Sequence, residues 1–113
     1  MSIIESGNVT VMVSDLDQSI RFYVDVLGLK LKNRYGEHWA DIEGPGIAIG
    51  LHPTNKTIAK GDNLQIGLRV ANLKQAVSEL QQKGISFAQG ADDNIRLVFF
   101  TDPDGNTLYL TQG

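Results

Sequence analysis

Few side chains in this sequence could move a proton or hold an ion near neutral pH. There are two histidines, His38 and His52, and no cysteine. Lacking cysteine, the chain has no thiolate nucleophile, disulfide, Cys–zinc site or iron–sulfur cluster. A metal site built on histidine has at most two imidazoles to use. His52 is suited to be a metal ligand, an acid–base group or a hydrogen-bonded residue at a pocket rim. His38 lies beside Trp39 at an expected turn, where it could touch a ligand, and Trp39 itself reads as core or as the stacking wall of a cleft. Tyr109 offers a phenol able to donate a hydrogen bond or a proton, and Arg69 offers a fork that could grip an anion or a carboxylate at a rim. Asp15, Asp102 and Asp104 could be a nucleophile or ligand set by residue type alone. Their settings point elsewhere: Asp15 precedes an apolar helical stripe, and Asp102 and Asp104 stand in Asp-Pro-Asp-Gly-Asn, so they read as a helix cap and turn residues. Neither a phosphate-cradling glycine loop nor a nucleophile-triad pattern is present.

The elements that must position these groups occur twice. Residues 11–20 align with residues 68–77, with Val13/Val70, Leu16/Leu73 and Gln18/Gln75 identical. Gly28-Leu29-Lys30-Leu31 aligns with Gly84-Ile85-Ser86-Phe87, and residues 46–51 align with residues 105–110. Each half reads β-α-β-β-β. The run Val9 to Val13, rich in β-branched residues, predicts a strand. Ser14 or Asp15 then caps a helix reaching about Leu27, with Gly28 as its stop. Ile20, Phe22, Tyr23, Val26 and Leu27 form its apolar stripe. Strands are predicted at about 29–35, 38–42 and 47–52, punctuated by Gly36 and Gly44-Pro45-Gly46. Residues 53–63 read as a polar linker. The second half predicts a strand at 64–70, a helix at 73–83 stopped by Gly84, and strands near 86–88, 95–101 and 107–111. The organisation expected is one domain, 1–113, with modules at about 1–53 and 64–113.

Alternation along the strands assigns faces. Val9, Val11 and Val13 should meet the helix, leaving Asn8, Thr10 and Met12 on the other side. In the equivalent strand Ile66, Leu68 and Val70 pack, leaving Gln65, Gly67 and Arg69. Ile47, Ile49 and Leu51 pack, leaving Ala48, Gly50 and His52; Leu108 and Leu110 pack, leaving Thr107, Tyr109 and Thr111. This second face carries amides, hydroxyls, one Arg, one His, one Tyr and small residues. It fits either a ligand site or a solvated sheet.

Val-Ser-Asp-Leu-Asp-x-Ser-Ile-x-Phe-Tyr at the start of the first module, running on to Leu27-Gly28-Leu29, resembles the opening of vicinal oxygen chelate proteins. That superfamily includes glyoxalases, bleomycin-resistance proteins and extradiol dioxygenases. Phe99-Phe100-Thr101-Asp102-Pro103-Asp104-Gly105-Asn106 resembles the hairpin before its last strand. The resemblance spans nearly the whole chain. It implies an α+β fold of two βαβββ modules whose curled mixed sheets surround a shared cleft. It also implies metal-ligand positions at Asn8, Gly50, Gln65 and Tyr109, usually filled by His, Glu or Gln. Here the pattern departs: Gly50 has no side chain, Asn8 is a weak neutral donor, and Tyr109 is a poor ligand unless ionised, so only Gln65 keeps a type the family uses. A divalent site wants about three imidazole, thiolate or carboxylate donors.

The expectation is therefore a glyoxalase/bleomycin-resistance-like protein that binds a small organic molecule without a catalytic metal or other cofactor. The expected ligand contacts are Asn8, Met12, Trp39, His52, Gln65, Arg69 and Tyr109. The alternative is a metal-dependent lyase, isomerase or dioxygenase with displaced ligands, His52 and Gln65, on a divalent ion. Composition is consistent with a globular domain, at 42% hydrophobic and 20% charged residues. A net charge of −3 argues against nucleic acid, whose phosphates need clustered positive charge. No stretch reaches the length of a membrane span, and the N-terminus lacks a secretory pattern. A cytoplasmic homodimer is expected.

Overall fold

The computed structural model describes residues 3–59, 61–88 and 97–112. The chain divides into two compact units, Met1–Ile58 and Ala59–Gly113, and the architecture is α+β, with one mixed sheet in each unit.

In the first unit the order is β1 (Val9–Val13), α1 (Leu16–Ile20), β2 (Lys30–Tyr35), β3 (Trp39–Gly44) and β4 (Ile47–Pro53). The sheet runs β1-β4-β3-β2. β1 lies parallel to β4, while β3 is antiparallel to both of its neighbours. Asp15 caps α1, accepting from the Gln18 N–H at 3.1 Å, as its sequence setting predicts. The helix does not continue to Leu27 in α form. It passes into a π-helical turn over Arg21–Val26, and the Leu27 N–H reaches back five residues to the Phe22 carbonyl. The wider turn allows the adjacent Phe22 and Tyr23 both to be buried, edge to face with ring centroids 5.1 Å apart. They pack into a core with Val11, Val13, Leu16, Ile42, Ile49 and Leu51. Gly28, at φ 82°, ends the helix in a backbone conformation that glycine adopts without strain. Arg34 on β2 makes a 2.7 Å ion pair with Asp17 of α1 and a longer one with Glu37, so one guanidinium bridges helix and hairpin. Its proton is held more tightly than usual, chiefly through the bond to Asp17.

In the second unit the order is β5 (Gly61–Val70), α2 (Leu73–Gln82), β6 (Leu97–Thr101) and β7 (Asn106–Gln112). The sheet runs β5-β7-β6, parallel then antiparallel. Asn72 caps α2 by accepting from the Gln75 N–H at 3.0 Å, the counterpart of Asp15 and Gln18. Leu73, Ala76, Val77 and Leu80 make its inward stripe, with Leu80 the buried member. Val98, Phe100, Leu108 and Leu110 complete that core.

Three expectations change. β5 begins at Gly61, so the strand takes over the last part of the expected linker. The strand expected at 86–88 does not form: Ala88 donates one bond to the Phe99 carbonyl at 2.8 Å, and a single bond is not a ladder. Phe87 nonetheless packs on Phe100, with ring centroids 5.4 Å apart. The third strand of the first unit starts at Trp39 rather than His38, because the His38 N–H closes a turn onto the Tyr35 carbonyl. Residues 95 and 96, expected to open β6, lie outside the described residues.

Candidate functional site

The register of the first sheet sets out its second face row by row. Thr10, Gly50, Asp41 and Asn33 are successive partners across β1, β4, β3 and β2. In the neighbouring row Met12 pairs with His52 and Trp39 pairs with Tyr35. The Trp39 and His52 rings lie 5.6 Å apart at 42°. Three of the expected contacts, Met12, Trp39 and His52, thus belong to one sheet, and Asn8, expected in the first strand, immediately precedes it. Asn8 is exposed, its amide donating to Thr10 Oγ1 at 3.5 Å. Met12 and His52 are exposed, while Trp39 is half-buried.

Gly50 explains the attitude of the indole. A Cβ at that position would overlap the Trp39 ring, lying 2.8 Å from Cη2 and 3.1 Å from Asn8 Nδ2. Glycine here is the condition for the Cζ2–Cη2 edge of the ring to approach the neighbouring strand so closely. The indole N–H donates to Asp41 Oδ1 at 2.6 Å, and Asn33 Nδ2 donates to Asp41 Oδ2 at 3.5 Å. Asp41 is half-buried and has no cationic partner among the described residues. Neither Asp41 nor Asn33 was expected at the site. The alternation Trp39-Ala40-Asp41-Ile42-Glu43 carried the signal, since it puts Trp39 and Asp41 on one face and the buried Ala40 and Ile42 on the other.

The second sheet repeats the device. Gly67, Tyr109 and Phe99 are successive partners across β5, β7 and β6. A Cβ at Gly67 would collide with the Tyr109 ring, its Cε1 lying 2.7 Å away. Tyr109 is half-buried beside Phe99, with ring centroids 5.7 Å apart. Gln65 and Arg69 flank Gly67 on the same side of β5, both exposed. Arg69 has no ion pair among the described residues. A separate groove of about 560 Å³ in this unit, bordered by Phe87, Phe99, Phe100 and Thr107, includes none of the seven expected contacts.

The aspartates are structural. Asp102 is buried, and its Oδ1 accepts from the Asp104 and Asn106 N–H groups at 3.0 and 2.8 Å while Oδ2 accepts from Asn106 Nδ2 at 2.8 Å. Asp15 is the helix cap already described. His38 closes the β2–β3 turn.

The four positions that the sequence resemblance assigns to metal ligands do not fit a divalent ion. They hold two neutral amides, a phenol lying on Gly67, and a glycine in contact with an indole edge. Among the described residues no group of three or more His, Asp or Glu could hold a metal, where a catalytic zinc needs about three protein donors. Of the displaced pair, His52 is in the first unit and Gln65 in the second.

Residues 6–110 match the sequence model of the Glyoxalase/Bleomycin resistance protein/Dioxygenase superfamily. An uncharacterised protein of Mycolicibacterium smegmatis is 31% identical, over 96% of this chain and 93% of that one. Metallothiol transferase FosB of Staphylococcus epidermidis is 26% identical, over 100% of this chain and 84% of that protein. Among solved structures, TnmS3, an antibiotic binding protein from a Streptomyces species, is similar with a TM-score of 0.79 and 28% identity, covering 99% of this chain and 98% of that one. Among the described residues, no helix is long and apolar enough to cross a membrane.

Proposed function

The chain belongs to the glyoxalase/bleomycin resistance protein/dioxygenase superfamily, and from that premise we propose that it binds a small organic molecule without using a catalytic metal. The observation that carries this reading is Gly50 against Trp39: where the resemblance implies a ligand side chain, this protein has an indole ring filling the space. Asn8, Met12, Trp39 and His52 of the first unit and Gln65, Arg69 and Tyr109 of the second are the proposed contacts. They offer neutral donors and acceptors, one cation and apolar surface, which is the composition that orients an organic ligand. The similarity to a protein named for antibiotic binding supports the same class of activity. The reading includes a cytoplasmic homodimer as the working form. For the metal-dependent alternative, His52 and Gln65 would have to supply the donors, and the similarity to a protein named metallothiol transferase is what supports it.

Calorimetry with hits from a small-molecule screen tests the proposal. Tyr109→Phe and Gln65→Ala should each weaken binding by about 1–3 kcal/mol where a buried partner is left unpaired. Both should fold normally, since the Phe ring still covers Gly67 and Gln65 is exposed. Elemental analysis of protein purified without chelator should find divalent metal well below one ion per chain. About one ion per chain, lost in His52→Ala, would overturn the metal-free reading.

A further inference from the structure

Resting on the binding reading above, we infer that the ligand is a planar aromatic cation, selected by the pairing of Trp39 with Asp41. Trp39 abuts Gly50 through the Cζ2–Cη2 edge of its ring and is only half-buried, so part of the ring surface is open to a stacking partner. Its N–H is already committed to Asp41 at 2.6 Å, so the ring is held in one orientation before any ligand arrives. His52, tilted at 5.6 Å, extends that surface, and Met12 adds an apolar edge beside His52. The carboxylate supplies the sign. Among the described residues, both Asp41 oxygens accept only from neutral groups, Trp39 and Asn33. On the adjoining strand β2, Lys32 pairs with Glu43 and Arg34 with Asp17 and Glu37, and Lys30 stands opposite Glu43 in the register. The charge on Asp41 is thus uncompensated at the rim of an electron-rich ring. A cation there gains from the ring quadrupole and from the carboxylate together. A neutral planar molecule gains stacking alone, and an anion meets repulsion.

The sequence contains one tryptophan, so intrinsic fluorescence reports directly on the site. The full chain would be titrated with aminoacridine (a planar cation), acridone (planar and neutral), anthraquinone sulfonate (planar and anionic) and tetramethylammonium (a non-aromatic cation), following Trp39 fluorescence and heat. Aminoacridine should bind about ten-fold more tightly than acridone, as a cation–π contact and one partly screened ion pair together imply. The sulfonate should bind more weakly than acridone, and tetramethylammonium should not displace aminoacridine. The advantage of aminoacridine should shrink as salt is raised. Asp41→Asn, which can still accept from the indole, should abolish the advantage while leaving acridone affinity within about two-fold. Equal affinities for the three planar probes, or an advantage that survives Asp41→Asn, would overturn the inference. Should that variant not fold, the wild-type ranking and its salt dependence still decide. If a screen yields Tyr109-sensitive ligands of other chemistry while aminoacridine fails, the inference falls and the binding reading stands. If neither the screen nor any probe binds, both fall.

Discussion

At position 50 a single methyl group should decide the attitude of the indole. An alanine Cβ would overlap the Trp39 ring and crowd the Asn8 amide. Gly50→Ala should therefore lift Trp39, break its bond to Asp41 and cost about 1–3 kcal/mol by overpacking, with a red shift in tryptophan emission. Gly7→Ala is the control, since nothing lies within 4 Å of its added methyl group. Asp102 makes a second test, of turn against catalysis. Asp102→Ala removes the carboxylate that accepts from the Asp104 and Asn106 N–H groups inside a partly buried turn and should cost about 1–3 kcal/mol in a denaturant melt. Asp15→Ala removes only a cap bond and should cost about 1 kcal/mol. Comparable, negligible losses at both sites would remove the structural roles argued for these aspartates.

Within α1, Ser19 is buried, and its hydroxyl has no partner among the described residues. The helix changes to π geometry two residues later. Ser19→Ala removes an unsatisfied polar atom and improves helix propensity, so it should raise stability by about 1 kcal/mol. A lower melting temperature would mean that the hydroxyl does work this structure does not show. The helices also mark how far the sequence could be read. Asp15, Gly28 and Gly84 act through local geometry, which depends on residue type and position along the chain, and each is a cap or stop as expected; Asn72 caps α2 by the same local rule. The π turn was not legible, because it answers to the burial of two adjacent aromatics by a sheet distant in sequence. The sequence singles out Trp39 and Tyr109 but not the attitude of their rings. Each ring abuts a glycine of a neighbouring strand, Gly50 or Gly67, and that relation exists only once the register is known. Asp41 was missed although its strand alternates cleanly, since alternation assigns a face and says nothing of the indole that would engage the carboxylate. The segment 86–88 looked like a strand by analogy with the first half, yet it makes one backbone bond to β6.

For the whole molecule, each sheet ends in edge strands, β1 and β2 in one and β5 and β6 in the other. Edges with unpaired N–H and C=O groups invite association. The proposed homodimer predicts a particle of twice the 12.3 kDa chain mass at micromolar concentration, and light scattering at the single-chain mass would count against it. The strand orders carry a consequence for how the molecule comes into being. In both units the strand made last is an interior one: β4 lies between β1 and β3, and β7 between β5 and β6. An emerging chain can fold its β2–β3 hairpin early, but β1 has no partner within its sheet until β4 arrives. Each parallel pairing must also close a loop across most of its unit, the kind of distant contact that slows folding. On the ribosome, β1 and then β5 should each wait unpaired while the rest of its unit is translated, a period in which a chaperone or another chain competes for the same edge.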